Sequence, residues 1–413
     1  MQHWHTKNTC RACGAADLST IIAFGPTPIS DALLTKEELT TGEEFIIPLT
    51  FSFCNACALA QILEEVDPKI LFCRNYPYYS SISTVGMNHF RQSALDILAQ
   101  RSLTGKSLVM EAASNDGYLL RHFVEAGVPV LGIDPADGPA QKAIQNKIPT
   151  LVNFFTEKLA AQLAAEGKKA DVFLANNVLA HVPDLNGFVE GIRLVLKDTG
   201  VAVIECPYVL NLVEHCEFDT IYHQHLCYFS VTALDRLFRR HGLYLNHIKQ
   251  TTIHGGSLRL FIEPFENVQT SVRDLLAEEK KQKADLFVYF QNFAARVTDL
   301  KSKLIALLTE LKKQNQRIAG YGAAAKANTL ASYCGIGSNY LDYICDLSKF
   351  KQGLFFSGNH LPILAPSKIL EDQPDLVLIM AWNFAEEIMS QLSAFRAAGG
   401  RFIVPIPEPK IIS

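Results

Sequence analysis

The chain has 413 residues, more than one ordinary hydrophobic core organises, which predicts two or three domains. Hydrophobic residues make up 48% of the chain and charged residues 19%, a composition typical of compact enzymes and not of disordered or fibrous proteins. The net charge of -4 gives no general attraction for nucleic acid or anionic membranes, and neither a signal peptide nor a membrane-spanning run is evident, so we expect a cytoplasmic protein.

The predicted elements fall into three blocks along the chain. Block 1–75 contains two close cysteine pairs and many turn signals. Block 76–265 alternates strand-like and helical runs, the pattern of a parallel sheet covered by helices. Its predicted strands cover residues 107–113, 128–134, 171–176, 201–205 and 257–263. Block 266–413 begins with one long helical pattern over 272–315. It then predicts a smaller α/β unit with strands over 317–322, 340–346, 376–380 and 401–404.

The first block predicts a metal site. Its two Cys-x-x-Cys pairs, separated by 40 residues, are Cys10 with Cys13 and Cys54 with Cys57. Each pair can place two thiolates on one tight turn, and two such turns complete the tetrahedral sulfur site that zinc prefers. Four protein ligands leave no open position, so zinc here would be structural. Buried structural thiols or a redox pair are the alternative interpretations.

A candidate nucleotide site follows the predicted strand 107–113. The sequence Glu111-Ala-Ala-Ser-Asn-Asp-Gly-Tyr118 opens a helix there, where doubly wound sheets bind nucleotides. Small residues, including Ala113 and Gly117, let the backbone approach a ligand closely. Asp134 ends the next strand, where a carboxylate can bond both ribose hydroxyls.

The identity of the nucleotide follows from what this loop lacks. It is not a G-x-G-x-x-G sequence and shows no pyrophosphate clamp, so an adenosine ligand without phosphates fits better. S-adenosyl-L-methionine is therefore preferred to NAD, although a small-residue turn followed by an acid is also common in α/β folds without a ligand. Asn176 follows the fourth strand and faces the same crevice.

A polar segment downstream of the fifth strand alternates titratable and aromatic side chains, including Tyr222, His223 and His225. Histidine titrates near neutral pH and can take a proton from a carbon beside a ketone, while tyrosine or a second histidine can donate to the resulting enolate oxygen. A metal site on His223 and His225 is the alternative, with His181 or Asp219 as a third ligand. Three other histidines are interpreted as ordinary core or surface residues: His89, His122 and His241.

Many motifs in the same order resemble the sugar C-3'-methyltransferases of deoxysugar pathways, and the resemblance covers nearly the whole chain. The motifs are the cysteine pairs, Tyr78-Tyr79-Ser80-Ser81, Ser114-Asn115-Asp116-Gly117, Gly132-Ile133-Asp134-Pro135, Asn177-Val178-Leu179-Ala180-His181-Val182-Pro183, the segment 222–225, Gly255-Gly256-Ser257-Leu258-Arg259, Gly320-Tyr321-Gly322-Ala323-Ala324-Ala325-Lys326 and Ala381-Trp382-Asn383.

This resemblance implies a fold and an activity. The fold is a class I, Rossmann-like methyltransferase domain (76–265) between an N-terminal zinc-binding domain (1–75) and a C-terminal Rossmann-like α/β domain (266–413). The activity is methyl transfer from S-adenosylmethionine to C-3 of a nucleoside-diphosphate-linked 4-keto-6-deoxy sugar through an enolate. The C-terminal domain would help to hold the sugar nucleotide.

The resemblance also implies roles for individual residues. His225 would be the base, with Tyr222 and His181 near the ketone oxygen. The implied cofactor-binding residues are Glu111, Ala113, Asn115, Gly117, Asp134 and Asn176, with the adenine near Asn153 and Phe154. The implied substrate-binding residues are Tyr79, Asn177, Gln224, Tyr321, Lys326, Lys349, Trp382 and Asn383.

One residue departs from the family's pattern. The family commonly has Tyr-His-Glu-His, and this chain has Gln224 in place of the acid. Glutamine can orient a neighbour or bind a sugar hydroxyl, but it cannot take a proton or stabilise His225 as a cation. A mechanism that requires a charge at this position is therefore doubtful here, whereas His225 as the base is unaffected.

The C-terminal block leaves two interpretations open. Gly320-Tyr-Gly-Ala-Ala-Ala325 after a strand, with Asp346 further along, resembles a degraded dinucleotide fingerprint, which predicts an NAD-dependent sugar-nucleotide oxidoreductase. The same turn can instead cradle the substrate's diphosphate at a helix N-terminus, with Lys326 nearby. A zinc-ribbon RNA methyltransferase would need a basic stripe, which the acidic balance does not favour, so no nucleic-acid partner is expected. The three-domain layout is compatible with a monomer.

Overall fold

A computed structural model describes residues 3–42, 44–73, 79–82 and 84–413, without the side chains of residues 82, 84, 85 and 254. Tyr78 of the family-like motif lies outside the described residues.

The N-terminal residues form two small antiparallel pairings around the cysteines. Their elements are β1 (Trp4–Thr6), β2 (Leu18–Pro28), α1 (Glu38–Thr41), β3 (Ile46–Cys54), β4 (Ala60–Ile62), β5 (Glu64–Val66) and α2 (Pro68–Phe72). Strands β2, β3 and β4 are neighbours in one sheet, and β1 pairs with β5. Alternate residues of β3, from Ile47 to Phe53, are buried, as expected for a strand with one face on a core.

The central residues form a seven-stranded sheet with helices on both faces. The elements are α3 (Thr84–Gln100), β6 (Val109–Ala112), α4 (Leu120–Glu125), β7 (Val130–Asp134), α5 (Asp137–Gln145), β8 (Thr150–Val152), α6 (Glu157–Ala165), β9 (Ala170–Asn176), α7 (Leu185–Val195), β10 (Leu196–Pro207), α8 (Val209–Glu214), β11 (Cys227–Tyr228), α9 (Val231–Arg240), β12 (Tyr244–Thr251) and β13 (Ser257–Glu263).

The strand order of this sheet indicates where a ligand-binding crevice lies. The order is β12-β13-β10-β9-β6-β7-β8, with the five strands from β10 to β8 parallel and β13 antiparallel to β10. The order in which strands are added along the chain reverses between β6 and β9. Ligands of doubly wound sheets bind where that reversal occurs, outside the carboxyl ends of the strands. Strand β11 leaves this domain and pairs with β4 of the N-terminal sheet.

The C-terminal residues form a second doubly wound sheet. The elements are α10 (Thr270–Gln282), α11 (Phe287–Lys313), β14 (Ile318–Tyr321), α12 (Ala325–Cys334), β15 (Ile344–Cys345), β16 (Ile363–Leu364), α13 (Ser367–Asp372), β17 (Leu376–Ile379), α14 (Ala385–Gln391), α15 (Ser393–Ala397), β18 (Arg401–Val404) and β19 (Lys410–Ile412). The order β16-β15-β14-β17-β18-β19 reverses between β14 and β17, so a second crevice lies there.

Two sequence-based predictions in this block are wrong in detail. The single helix predicted over 272–315 is two helices, because Lys283 takes a left-handed conformation (φ 60°) that ends α10. Helix α10 then packs on α9 and β12, whereas α11 packs on β2 and α12. The strand predicted over 340–346 shortens to Ile344–Cys345. By contrast, β13 and β18 begin and end at the predicted residues.

None of the helices in the described ranges combines the length and the apolar character that crossing a membrane requires.

Candidate active site and zinc centre

The four cysteines of the first block converge. Their sulfur atoms all lie within 4.8 Å of one another, with Cys10 and Cys57 at 3.4 Å and Cys13 and Cys54 at 3.5 Å. Tetrahedral zinc with Zn–S bonds of about 2.3 Å separates its sulfurs by about 3.8 Å, so the arrangement fits this ion. Three of the four cysteines are buried, and Cys13 is partly buried.

Both cysteine pairs sit on the same kind of turn. The residue after each pair is left-handed, Gly14 at φ 74° and Ala58 at φ 64°. Its amide donates to the carbonyl of the pair's first cysteine at 2.9 Å in each turn. The zinc centre is thus built from two matching knuckles, the second of which tolerates alanine at the left-handed position.

The loop after β6 forms a cradle with unusual backbone geometry. Ala113, Asn115 and Gly117 all have positive φ, and Asn177 after β9 does as well. Two buried polar atoms in this crevice make no hydrogen bond within the described residues: Oγ of Ser114 and Oδ1 of Asp116. Buried polar groups normally have partners, so this cluster fits a polar ligand such as the predicted S-adenosylmethionine.

Burial is the main cause of the pKa shifts of the acids in the cradle. Burial raises the pKa of Glu111 well above its ordinary value, with nearby Asn176 and Tyr118 opposing the shift. Burial also raises the pKa of Asp134, and hydrogen bonds from two backbone amides oppose this shift. The amide of Asn115 donates to Oδ2 and the amide of Ala136 donates to Oδ1, both at 2.8 Å. Each oxygen keeps a second lone pair, which is what a ribose hydroxyl would use.

Gly117 also has a packing reason to be glycine. A Cβ at this position would lie 2.9 Å from Cγ1 of Ile148, so a side chain here would disturb packing inside the domain. The residues predicted to lie near the adenine, Asn153 and Phe154, follow β8. The amide of Asn153 donates to the carbonyl of Asp134 at 3.1 Å, and Asn153 is exposed with Phe154 half-buried beside it.

The predicted catalytic residues lie together. The ring of His225 lies 4.2 Å from that of Tyr222 and 4.8 Å from that of His181 between centroids. His181 comes from the 3-10 turn after β9, and His225 from the loop before β11. The amide of Leu226 donates to the carbonyl of Ala180 at 2.7 Å, which joins the two segments.

Carbonyl groups fix both rings. Nδ1 of His225 lies 3.1 Å from the carbonyl oxygen of Thr220, and Nδ1 of His181 lies 2.6 Å from that of Gln224. A nitrogen facing a carbonyl carries the proton, so each neutral ring has its lone pair on Nε2. Nε2 of His225 accepts from the Tyr222 hydroxyl at 3.1 Å. Burial lowers the pKa of His181, while carbonyls of Gln224 and Asn177 oppose the shift.

The alternative metal site does not form. The ring of buried His223 points into the N-terminal sheet, where Nε2 donates to the carbonyl of Pro48 at 3.1 Å. Asp219 instead accepts from Trp382. Across the described ranges, the cysteine cluster is the one group placed to hold a metal ion.

Gln224 has a defined orientation. Its Nε2 donates to the carbonyl of Ser30 at 2.8 Å, which leaves Oε1 as a buried acceptor without a partner in the described residues. Asn177 lies beside the same cluster, and its amide donates to the carbonyl of Glu205 at 2.7 Å.

The C-terminal sheet repeats the arrangement around Asp134. Asp346, at the end of β15, accepts from the amide of Ala323 through Oδ2 and from that of Ser348 through Oδ1, both at 2.8 Å. In both sheets the acid at the end of β7 or β15 accepts two backbone amides. One amide comes from the loop after the neighbouring strand, β6 or β14, and the other belongs to the residue two positions after the acid. The loop of the second crevice therefore has the same backbone hydrogen-bonding pattern as the loop around Asp134.

Three residues meet where this crevice faces the central domain. Nζ of Lys326 lies 4.1 Å over the ring of Trp382, whose Nε1–H donates to Asp219 at 2.7 Å. Burial raises the pKa of Asp219 to about 6, with Lys326 and Trp382 opposing the shift. Burial lowers the pKa of Lys326, with Asp219 and Glu217 opposing.

The remaining predicted substrate-binding residues are more scattered. The hydroxyl of buried Tyr321 donates to Gln391 at 3.2 Å, on the side of α14. Lys349 and Asn383 are exposed at the rim of the second crevice. The hydroxyl of Tyr79 lies against Gly138 of α5, the helix that follows Asp134. Their substrate contacts stay predictions.

Sequence reasoning missed a buried ionic group. Glu205, fully buried at the end of β10, receives Nη2 of Arg259 at 3.0 Å and Nε2 of His89 at 2.8 Å. His89 had been interpreted as an ordinary histidine. The signal was available, because an acid inside the apolar strand 201–205 needs a charged partner when buried.

Comparisons with known proteins agree with this architecture. Family models match residues 10–72 as a zinc binding domain, 87–248 as a methyltransferase domain and 252–407 as a C-methyltransferase C-terminal domain. The chain is similar to the C-methyltransferase NovU of Streptomyces niveus, at 34% identity over 408 residues, covering 98% of this chain and 96% of NovU. These matches confirm the predicted fold class and the two predicted cofactors, S-adenosylmethionine and zinc.

Solved structures similar in fold to part of this chain include magnesium protoporphyrin IX methyltransferase of Synechocystis with bound S-adenosylhomocysteine. It has a TM-score of 0.35 and 16% identity, over 44% of this chain and 87% of that one. The CcbJ methyltransferase of Streptomyces caelestis has a TM-score of 0.33 and 14% identity, over 42% of this chain and 88% of that one.

Proposed function

Because the chain belongs to the C-methyltransferase family that includes NovU, we propose that it methylates C-3 of a nucleoside-diphosphate-linked 4-keto-6-deoxy sugar. The observation that carries the proposal is the cluster of Tyr222, His225 and His181 beside Asn177, at the carboxyl edge of the methyltransferase sheet. A reductase would also need a proton donor beside the ketone, so the cluster alone does not separate the two activities; membership of the C-methyltransferase family favours methyl transfer over an NAD-dependent oxidoreductase.

Methylation at carbon requires a carbon nucleophile. The ketone at C-4 acidifies the C-3 proton, and a positioned base that removes it typically contributes about 10²–10⁴-fold. S-adenosylmethionine, held by the 111–117 loop and Asp134, supplies an electrophilic methyl group. The chain's own task is to hold the sugar, take the proton and stabilise the enolate oxygen.

His225 suits the role of base because its lone pair is on Nε2. In the structure Nε2 accepts the Tyr222 hydroxyl. When substrate binds, the Tyr222 hydroxyl donates to the C-4 oxygen of the sugar in place of Nε2. Nε2 is then available to the C-3 proton, and the Tyr222 hydroxyl stabilises the developing enolate. The carbonyl of Thr220 then accepts from the imidazolium through Nδ1, which favours the charged ring.

His181 has a narrower role than the family resemblance implies. Its lowered pKa favours the neutral ring, and its Nδ1 proton is committed to Gln224. A neutral His181 therefore offers an acceptor on Nε2 and suits a sugar hydroxyl better than the ketone oxygen. Tyr222 is then the main donor to the enolate.

The second crevice suits the nucleotide end of the substrate. Helix α12 begins at Ala325 directly after the loop 322–324, and a helix N-terminus with Lys326 in its first turn attracts a diphosphate. Asp346 is available to a ribose hydroxyl, as Asp134 is in the cofactor cradle. We also propose a cytoplasmic location, because none of the ten cysteines forms a disulfide bond in the structure.

Solvent exchange at C-3 tests the proposal. The enzyme is incubated in D₂O with thymidine- or guanosine-diphosphate 4-keto-6-deoxy sugars, with and without S-adenosylmethionine, and the sugar is followed by NMR and mass spectrometry. Deuterium at C-3 without cofactor, and a gain of about 14 Da with it, are expected because enolisation precedes methyl transfer.

Matched variants assign the roles. His225→Ala should lose both exchange and methylation, Tyr222→Phe should slow both, and His5→Gln, at an exposed histidine of β1, should change neither. Methylation of the sugar at another carbon would exclude C-3 as the acceptor, and no reaction with either nucleotide would exclude this substrate class.

A further inference from the structure

A short piece of the N-terminal domain lies between the catalytic loop and the C-terminal crevice. This piece, residues 30–34, follows β2 and is here termed the bridge segment. It contacts the central domain on one side and the C-terminal domain on the other. Zinc-domain residues therefore lie between the two parts of the site that the proposed function assigns to the two ends of the substrate.

On the catalytic side, the contact is made by Gln224. Its side-chain Nε2 donates to the backbone carbonyl of Ser30 at 2.8 Å. The backbone carbonyl of Gln224 accepts from Nδ1 of His181 at 2.6 Å. His181 in turn packs against His225. The bridge segment is thus one residue removed from the catalytic rings.

On the C-terminal side, the contact is made by Lys351. Its Nζ donates to Oδ1 of Asp31 at 3.0 Å and to the carbonyl of Ala323 at 2.7 Å. Ala323 is the residue whose amide donates to Asp346. Lys351 therefore ties the bridge segment to the loop at the N-terminus of α12.

The rest of the bridge segment is held by backbone contacts. Leu34 and Phe355 exchange two backbone hydrogen bonds of 2.9 and 2.8 Å, and Ser357 Oγ donates to the carbonyl of Ala32. Asp31 has a left-handed backbone (φ 59°), which an L-residue keeps only when its surroundings hold it there. A continuous chain of contacts runs from His181 to Asp346.

We propose that the bridge segment is a positioning element, which sets the distance between the nucleotide-binding loop 322–326 and the base His225. This inference rests on the proposed function. A substrate anchored by its nucleotide reaches His225 through a flexible diphosphate and a sugar ring. A misplacement of about 1 Å at the reacting carbon can cost about 10²-fold in rate, so the spacing of the two subsites matters more than the strength of either.

The Asp31–Lys351 pair is suited to positioning and not to stability. Its side chains are 38% and 23% exposed, and ion pairs at that exposure contribute little to the free energy of unfolding. Removing the pair should therefore leave the fold intact and change the reaction, which separates the two roles experimentally.

Four variants test the proposal: Asp31→Asn, Lys351→Met, their double variant and Lys351→Arg. Asparagine tolerates the left-handed backbone, and arginine keeps donors for both Asp31 and Ala323. Glu44→Gln is the matched control, since Glu44 pairs with His360 at 3.0 Å across the same two domains but outside the chain of contacts. The measurements are kcat and KM for the sugar nucleotide, and the Kd of S-adenosylmethionine by calorimetry.

We expect Asp31→Asn and Lys351→Met each to lower kcat/KM by about 10- to 100-fold, with the double variant no worse than either. Lys351→Arg and Glu44→Gln should stay near wild type, and the Kd of S-adenosylmethionine should be unchanged throughout. If the only role of Lys351 were to bind the substrate's phosphate, Asp31→Asn would strengthen anion binding and leave kcat/KM equal or higher. If the losses of the two single variants added up in the double variant, Asp31 and Lys351 would act independently. Either result overturns the proposal.

Hydrogen exchange keeps this test separate from the proposed function. In ligand-free enzyme, Asp31→Asn and Lys351→Met should both accelerate amide exchange in peptides covering 222–226 and 322–326, whatever the substrate is. Accelerated exchange without methylation of any 4-keto sugar by the wild type would reject the proposed function and retain the bridge. Unchanged exchange in both peptides would reject the bridge.

Discussion

At the scale of single residues, hydrogen-bond chemistry decides what Gln224 can do. The Ser30 carbonyl accepts its amide N–H₂, so the side chain presents only an acceptor, Oε1, to its other neighbours. A glutamate, as the resembling family has, would place an oxygen against that carbonyl. The family's acid and this chain's amide are therefore not interchangeable without a change in the bridge segment.

Gln224→Glu should lower activity near neutral pH and recover it in acid. The ionised glutamate cannot donate to Ser30, and a buried carbonyl left without its donor costs about 1–3 kcal/mol. Protonation restores one O–H donor, so the ratio of variant to wild-type kcat/KM should rise as pH falls. A flat ratio from pH 5 to 8 would contradict the assigned orientation, and Gln224→Met supplies the variant that cannot recover.

Asp219 makes stability depend on pH. Burial raises its pKa from 3.8 to about 6 in the folded protein, so between these values the folded state holds a proton that the unfolded chain has released. This carboxyl therefore contributes stability at low pH that is lost as pH rises through about 6.

Asp219→Asn should remove that dependence. Relative to wild type, the variant should gain about 2 kcal/mol of unfolding free energy between pH 4 and pH 7, since each pKa unit corresponds to about 1.4 kcal/mol and part of the shift takes effect below pH 4. Urea unfolding at several pH values measures the difference, and other acids cancel because both proteins contain them. Asp198→Asn, at an exposed acid, should show no gain.

At the scale of elements, strand register gathers polar side chains on one face of the central sheet. Glu205 of β10 lies opposite Asn176 of β9 and Arg259 of β13, and residues in register point to the same face. Helix α3 covers this face and contributes His89. The carboxyl edge of the sheet is thus polar although its strands are apolar elsewhere.

Arg259→Met should destabilise the fold strongly. Glu205 and Arg259 side chains are 0% and 4% exposed, and removing one partner of a buried pair costs about 3–5 kcal/mol. The double variant Glu205→Gln with Arg259→Met should lose less than Arg259→Met alone, because no buried charge is left over. Chemical denaturation of the three proteins decides this, and a double variant less stable than Arg259→Met would argue against a simple ion pair.

At the scale of the whole molecule, the domains are interleaved and not merely joined. Strand β11, two residues after His225, pairs with β4 of the zinc-bearing sheet. Helix α12 contacts both β2 and the 3-10 turn Phe218–Thr220, and Thr329 donates to the carbonyl of Ile221 at 2.6 Å. The zinc domain therefore supports the loop that carries the proposed base, His225.

Loss of zinc should reduce catalysis before it reduces cofactor binding. Cys57→Ser removes one ligand next to β4, and we expect activity to fall about 10- to 100-fold, in proportion to the metal lost. The Kd of S-adenosylmethionine should change little, because the proposed cradle follows β6 and β7, which pair with no strand of the zinc-bearing sheet. Metal analysis and calorimetry measure both, with Cys73→Ser as control. Equal loss of both properties would mean that zinc supports the whole fold.

Local sequence determined much of this protein. Periodicity placed the strands, and the spacing of the cysteines predicted the zinc centre because two tight turns supply a complete ligand set. The small-residue loop before Tyr118 and the acid at 134 marked the cofactor crevice, since the order of strands and turns fixes where a doubly wound sheet binds. The segment 222–225 was identified because apolar packing does not require its alternation of titratable and aromatic side chains.

Tertiary structure alone decided how these parts meet. Whether His223 or His225 faces the crevice depends on which ring the N-terminal sheet buries, and whether Gln224 donates or accepts depends on Ser30, 194 residues away in sequence. The pairing of Glu205 with Arg259 and His89 likewise arises from contacts between distant segments. Short-range patterns specify local conformation and residue chemistry, but the orientation of a polar side chain is set by the partner that satisfies it, and that partner is brought near only by the fold.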